Sequence, residues 1–308
     1  MNAESQSLGD FNNGIAALKT YPQITHSFAG DQASAVVGDL TSVYKGKVSK
    51  YTRTLLSSKN GPVFLLDQVK STAAHSYNWL FHAEHTNGKS AIEYSGNRMT
   101  ITRPNARLTM DVLSPERLTS RIRNSDRAES FIAISSELNK DVQFLAVMVP
   151  DSKPLSGGYV ATPQAKRIDS NGWLGAILKD SKADYYGFFR SNDATSNVVE
   201  GFKSDASRFT ATVSDSILKE AYFEGTNFEG YGSIYKFTVP VSASVALNDS
   251  GTDLEIKSEN LAELSLAKAS KPGAVILNGI KVNNWKYDQK KHILSVVVPK
   301  GQSKISIQ

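Results

Sequence analysis

No cysteine occurs among the 308 residues of this chain. Disulfides, thiolate metal sites and cysteine nucleophiles are therefore excluded, and the fold has to hold by its core alone. No uninterrupted apolar run reaches the roughly 18 residues that a membrane-crossing helix needs. The opening residues, MNAESQSLGDFNNG, are polar and lack the basic, apolar, small-residue order of a signal peptide. A Walker loop, a dinucleotide fingerprint and a serine-triad motif are all missing. Gly232-Ser233 occurs without the flanking glycines of a nucleophile elbow. There is no internal repeat and no low-complexity tract.

What is present is ordinary globular composition. Apolar residues make up 40% and charged residues 21%, which matches soluble domains. The length allows one large β domain or two smaller ones. The net charge is +5, with basic residues scattered along the chain. Their densest group is Arg117, Arg121, Arg123 and Arg127, interrupted by Glu116 and Asp126. This group reads as a solvated helix face; the sharper reading is attraction to an acidic polymer such as a uronate glycan. No nucleic-acid-binding motif accompanies it.

Period-two alternation dominates from Ala33 onward. In Lys47–Leu56, Val48, Thr52 and Thr54 fall on one face, with Tyr51, Arg53 and Leu55 on the other. Val63–Val69 is a nearly continuous apolar run, as in a strand covered on both sides. Ala91–Tyr94 and Arg98–Thr102 flank Ser95-Gly96-Asn97 as a hairpin. Ser114 is the expected cap, and Pro115 the first residue, of the one short helix. A Pro/Ser/Gly-rich loop covers 151–158, and composition shifts again near Gly232. These signals predict an all-β chain: an irregular lead-in over 1–30, a large antiparallel, supersandwich-like β-sandwich over 31–232, and a small C-terminal antiparallel β domain over 233–308. In the last of these, Asn278-Gly279 marks a turn.

Within 36–85, Gly38-Asp39-Leu40-Thr41 with Tyr44 is followed by the Arg53 strand. The strands Phe64-Leu65-Leu66-Asp67-Gln68-Val69 and Trp79-Leu80-Phe81-His82 come next. In order and spacing these resemble the β-sandwich of heparinase II/III-like polysaccharide lyases, a resemblance that extends at lower specificity to about 240. It implies β-elimination on uronic-acid glycans, with catalytic groups mostly on a preceding helical domain and a zinc held by histidines and an aspartate in the first sandwich strands. The His-rich and Ala-His-Asn motifs of that zinc site do not occur here. No catalytic residue, zinc ligand or cofactor is therefore carried over to this chain. The missing leader is compatible with a cytoplasmic protein or with a fragment beginning at Met1; the resemblance, which implies a secreted or periplasmic parent, favours the fragment.

Candidate residues remain. His75, His82 and His85 form a histidine cluster. The odd spacing of His82 and His85 puts them on opposite strand faces, which disfavours a shared metal; packed or solvated histidines are the plain reading, and His82 as a substrate contact is the sharper one. Asp39 reads as a turn shaper. Asp67 is expected to hydrogen-bond a backbone group or pair with an arginine such as Arg53, because an unpaired buried carboxylate is costly. Tyr185, Tyr186, Phe188 and Phe189 alternate, so half face the core. Trp173 and Trp285 stand at strand edges and are read as core or sugar-stacking residues. Tyr222, just before FEGTNFEGYG, and Phe223, Phe228 and Tyr231 within it are read as a Gly-rich loop region and hence a glycan platform. The functional expectation is a carbohydrate-associated module that binds or frames an acidic polysaccharide and is not catalytic alone, with a helical catalytic domain or chain as a further partner. Nucleic acid and membrane are not expected partners. Two alternatives stand beside it: an active lyase using Tyr77 or Tyr44 with His82, and a purely structural domain.

Overall fold

The computed structural model describes residues 21–44, 46–84, 91–123, 129–153, 158–191, 194–249 and 251–308. Among them the chain is all β, as its alternation predicts, with one short 3-10 turn at Thr41–Tyr44. The described residues divide into two compact units. The first contains residues up to Ser27, Ala35–Leu55 and Pro62–Gln164. The second contains Phe28–Ser34, Leu56–Gly61 and Ala165–Gln308.

Eleven strands precede Ala165: β1 (Gln23–Ala29), β2 (Ala33–Asp39), β3 (Lys50–Ser58), β4 (Val63–His75), β5 (Asn78–Glu84), β6 (Ala91–Ser95), β7 (Arg98–Arg103), β8 (Ala106–Ser114), β9 (Leu118–Arg123), β10 (Glu129–Ser136) and β11 (Asn139–Ser152). One sheet has the order β1-β2-β3-β4-β11-β8-β7-β6 and a second has β5-β10-β9. Inward residues of both sheets share one core: Leu65, Met99, Met110, Val112 and Phe144 from the larger, Trp79, Ile132 and Ile134 from the smaller. Trp79 stacks on Phe144 with ring centroids 5.1 Å apart. Two arginines fasten the segment leading out of this unit. Arg98 binds Asp111 through Nε and Nη2, at 2.7 and 2.9 Å, and donates to the carbonyls of Thr162 and Pro163. Arg107 binds Asp151, donates to the Val160 carbonyl and lies over the Tyr159 ring.

The second unit adds β12 (Lys166–Ser170), β13 (Trp173–Lys179), β14 (Asp184–Arg190), β15 (Val198–Val199), β16 (Phe202–Ser204), β17 (Arg208–Ser214), β18 (Ile217–Gly230), β19 (Ser233–Asn248), β20 (Gly251–Ser258), β21 (Ala262–Ala267), β22 (Val275–Leu277), β23 (Ile280–Val282), β24 (Trp285–Asp288), β25 (Ile293–Val298) and β26 (Gly301–Ile307). The long strands β18 and β19 each serve two runs of pairing. The first half of β18 pairs β17 and its last residues pair β16; β19 pairs β21 near its start and β20 along its end. The strands therefore split into two layers, β12-β13-β14-β17-β18-β19-β20-β26-β22-β23 and β15-β16-β18-β19-β21-β25-β24. Both contribute to one core holding Trp173, Phe188, Phe209, Phe223, Phe202, Phe228, Leu264 and Leu294. Each fully buried large apolar side chain there contributes about 1.5–3 kcal/mol.

Three sequence expectations need correction. The lead-in is not irregular over 23–29, where β1 forms; residues 1–20 lie outside the described residues. Ser114 does not cap a helix. It ends β8, is joined to Pro115 by a cis peptide, and the chain resumes as strand β9, which carries Arg121 exposed on a strand rather than on a helix face. Arg127 lies outside the described residues. Finally, FEGTNFEGYG is not a loop: it is the end of β18 and a hairpin turn in which Tyr231 and Gly232 both adopt positive φ. The expected division at 232/233 falls in that hairpin, inside the second unit; the chain passes between the units at 164/165 and also at 27/28, 34/35, 55/56 and 61/62. The Asn278-Gly279 turn, with both residues at positive φ, joins β22 to β23 as expected.

Candidate functional site

Strand β24 lies at the end of its layer, paired only with β25 among the described strands. Its alternation sets the site. Trp285 and Tyr287 are half-buried and pack on the core of the second unit, while Lys286 and Asp288 face solvent. The Trp285 indole N–H donates to the Val282 carbonyl at 3.0 Å, which fixes the ring and leaves its face available. Beyond the strand, Asp288 Oδ1 accepts from the backbone amides of Lys290 and Lys291 at 2.9 and 3.1 Å and shapes a tight turn. The turn ends at His292, whose φ of 55° returns the ring towards Tyr287. The Tyr287 hydroxyl donates to the Lys268 carbonyl at 3.1 Å and lies 3.0 Å from His292 Nδ1.

These groups, with Ala269, Ser270, Lys271, Asn283 and Gln289, line a cavity of about 640 Å³, within the range of small-ligand sites. The Lys271 ammonium stands 5.8 Å from the centre of the Trp285 ring, at the outer limit of a cation–π contact. Lys268 points elsewhere: its ammonium donates to Thr252 Oγ1, and burial lowers its pKa. The arrangement offers an aromatic face for the CH surface of a sugar ring, amide and hydroxyl groups for its hydroxyls, and a fixed cation for an acid. The charge distribution reinforces this. Residues 268–292 carry six lysines and one aspartate, leaving 29 of the 35 basic and 29 of the 30 acidic residues for the rest of the chain. The segment that builds the cavity is therefore lysine-rich, though residues 45–59 carry an equal net charge of +5.

The residues singled out from sequence lie elsewhere. Trp173 is fully buried beneath β14 and β17, with its indole N–H on the Ser196 carbonyl. Phe228 is fully buried and stacked on Phe223 at 4.9 Å. Tyr222 is fully buried, with Phe28 against its ring and its hydroxyl donating to Glu224 at 2.6 Å. Burial, and then the Glu224 charge, raise its phenol pKa well above the ordinary value. A fully buried ring offers no face to a polymer in solution, so these three are corrected to core residues. Tyr231 is half-buried in the hairpin turn and shares a hydrogen bond with Tyr186 at 2.9 Å. His82 is exposed on β5 and packs on Phe131. Tyr77 donates to Ser71, and Tyr44 packs on Tyr51; His85 lies outside the described residues. Among the described residues no group of three or more His, Asp or Glu gathers as a metal site. Sequence reading weighed Trp285 but passed over Tyr287, His292 and Lys271. The missed signal was the lysine count in 268–292 around an aromatic pair two residues apart.

No family model matches this chain, and no curated protein matches it. Solved structures do align with it. A heparan sulfate lyase HepC mutant from Pedobacter heparinus is 12% identical with a TM-score of 0.42, over 56% of this chain and 28% of that one. The Streptomyces coelicolor A3 chondroitin AC lyase in complex with chondroitin sulphate is 8% identical with a TM-score of 0.44, over 94% of this chain and 40% of that one. A tyrosine mutant of the same lyase is 9% identical with a TM-score of 0.46, over 94% and 39%. This chain therefore spans between 28% and 40% of the length of these lyases.

Proposed function

We propose that this chain is a carbohydrate-associated β-sandwich module, of the heparinase II/III-like lineage its sequence resembles, that binds an acidic polysaccharide and does not cleave it alone. The supporting observation is the Trp285–Tyr287 cavity, where an aromatic face, amide side chains and Lys271 meet in a lysine-rich segment of the chain. Sugar rings stack on aromatic faces, and a lysine rim adds long-range attraction for a polyanion. On this reading the working compartment is secreted or periplasmic, as the resemblance implies. The test is titration of alginate and heparan sulfate oligosaccharides into the protein, followed by tryptophan fluorescence. Trp285→Ala is expected to weaken binding roughly tenfold or more, as loss of a central aromatic anchor does. Equal binding by the variant places the glycan site outside this cavity, and silence across acidic glycans leaves the purely structural reading in its place.

A second reading has one observation in its favour. Tyr287 and His292 are hydrogen-bonded on the same cavity, and such a pair supplies acid–base chemistry in β-elimination. It makes the chain an active lyase on alginate or heparin-like glycans. Appearance of the unsaturated-uronate ultraviolet band with this chain, lost in Tyr287→Phe, would establish it.

A further inference from the structure

We infer that His292 is a specificity-determining residue that reads the acidic group of the ligand only in its protonated form. The inference rests on the acidic-glycan reading above and adds a condition to it. The Tyr287 hydroxyl carries a single proton. The Lys268 carbonyl, 3.1 Å away, can only accept, so the phenol proton goes there. The phenol oxygen then accepts, and the atom that donates to it at 3.0 Å is His292 Nδ1. Neutral His292 therefore carries its proton on Nδ1 and a bare lone pair on Nε2.

A lone pair on Nε2 accepts a sugar hydroxyl but opposes the oxygens of a carboxylate or sulfate. Protonation converts Nε2 into a charged donor and reverses that preference. The other tautomer, which would present Nε2–H without a charge, is disfavoured because it leaves two hydrogen-bond acceptors facing one phenol proton. The remaining charged groups do not substitute for this switch. Lys271 faces the cavity from the segment after β21, and lysine is not a residue type that ordinarily titrates between about pH 5 and 8. On the turn, the Asp288 carboxylate is held by the amides of Lys290 and Lys291 and stands 4.0 Å from the Lys291 ammonium. Lys290 and Lys291 themselves are exposed. On β24, Lys286 points to the opposite face from Tyr287, and the Lys268 ammonium is on Thr252. Histidine is the one residue type of this set whose charge ordinarily changes between about pH 5 and 8.

The test is calorimetric titration at about pH 5.5 and 7.5 and constant ionic strength. The probes are an alginate hexamer, a heparan sulfate hexamer and a neutral glucose hexamer, against the wild type and His292→Gln. Carboxylates and sulfates of the probes stay ionised at both values. The wild type is expected to bind the acidic hexamers about tenfold tighter at the lower pH, the size of one charge-assisted hydrogen bond. The glutamine variant is expected to show one affinity at both. Long-range nitrogen–proton correlation on the wild-type protein at pH 7.5 is expected to show the Nδ1–H tautomer. Wild-type binding that ignores pH, an equal ratio retained in the variant, or an Nε2–H tautomer overturns this inference and leaves the binding module standing. No binding of any acidic hexamer at either pH overturns both.

Discussion

A carboxylate in the middle of an apolar strand survives only with partners, because an unpaired buried charge costs several kcal/mol. Asp67 of β4 is fully buried and has three polar contacts: Arg53 Nε at 2.8 Å, Arg53 Nη2 at 2.7 Å and the Tyr51 hydroxyl at 2.8 Å. Burial, and after it the Asp67 charge, push the Tyr51 phenol pKa far up, so this hydroxyl remains a donor. This arrangement was legible in the sequence. Alternation in β3 puts Tyr51 and Arg53 on one face, and a lone Asp in an apolar run needs a backbone donor or an arginine, of which the arginine is the one found. Asp39 was legible in the same way and accepts from the Thr41 amide at 2.8 Å. Trp285 was not, because a tryptophan in a four-residue strand reads alike whether its ring meets core or cavity. Removing one partner of the buried pair leaves the other uncompensated. Arg53, 35% exposed, keeps part of its hydration when Asp67 is removed, so Asp67→Ala is expected to cost about 1–3 kcal/mol, with Asp67→Asn less harmful because the amide oxygen still accepts. Urea melts of the two variants compared at one pH measure the difference.

At the scale of the element, β18 shows where alternation misleads. Phe223 and Phe228 are five residues apart, an odd spacing that a straight strand sends to opposite faces. Their rings nonetheless stack at 4.9 Å in one core. The register shift between Gly225 and Asn227 makes this possible. Asp205 organises it: Oδ1 accepts from the amides of Thr226 and Asn227 at 2.9 and 2.8 Å. Gly225 is required by the close approach this creates. A Cβ there would meet Asp205 Oδ1 at 2.6 Å and the Ala206 Cα at 2.8 Å. Gly-Thr-Asn reads locally as a loop, since the carboxylate that turns it into a bulge lies some twenty residues earlier. Tyr222 was misread as a glycan contact for a related reason. Thr210, Tyr222, Ser244, Glu255 and Lys304 sit in register across five strands, and the polar row is covered by Phe28 on Tyr222 and by Asp31 on Glu255 and Lys304. Gly225→Ala is expected to destabilise the protein by about 1–3 kcal/mol through forced backbone movement. Thermal unfolding checks it, and a melting temperature equal to wild type would show that the bulge has room to spare.

At the scale of the molecule, strands and hairpins were readable because their signals are local, whereas unit boundaries are decided by which distant residues share a core. The turn near Gly232 has every local mark of a boundary. Yet β19 begins at Ser233 and pairs with β18 on the other side of the turn over most of its length. Val241, Val245, Leu264 and Ile305 bury themselves in the same cluster as Trp173, Phe209 and Phe223. Residues 233–308 alone would expose the faces that those aromatics cover, and β19 would become a long unpaired edge, a known route to aggregation. A fragment of 233–308 is therefore expected not to fold cooperatively, and so not to bind acidic glycans even though it contains every residue lining the cavity. Amide spectra of the fragment and of the whole chain provide the comparison. A dispersed fragment spectrum with binding intact would mean that the last 76 residues carry their own core and that the 232/233 division marks a true domain boundary.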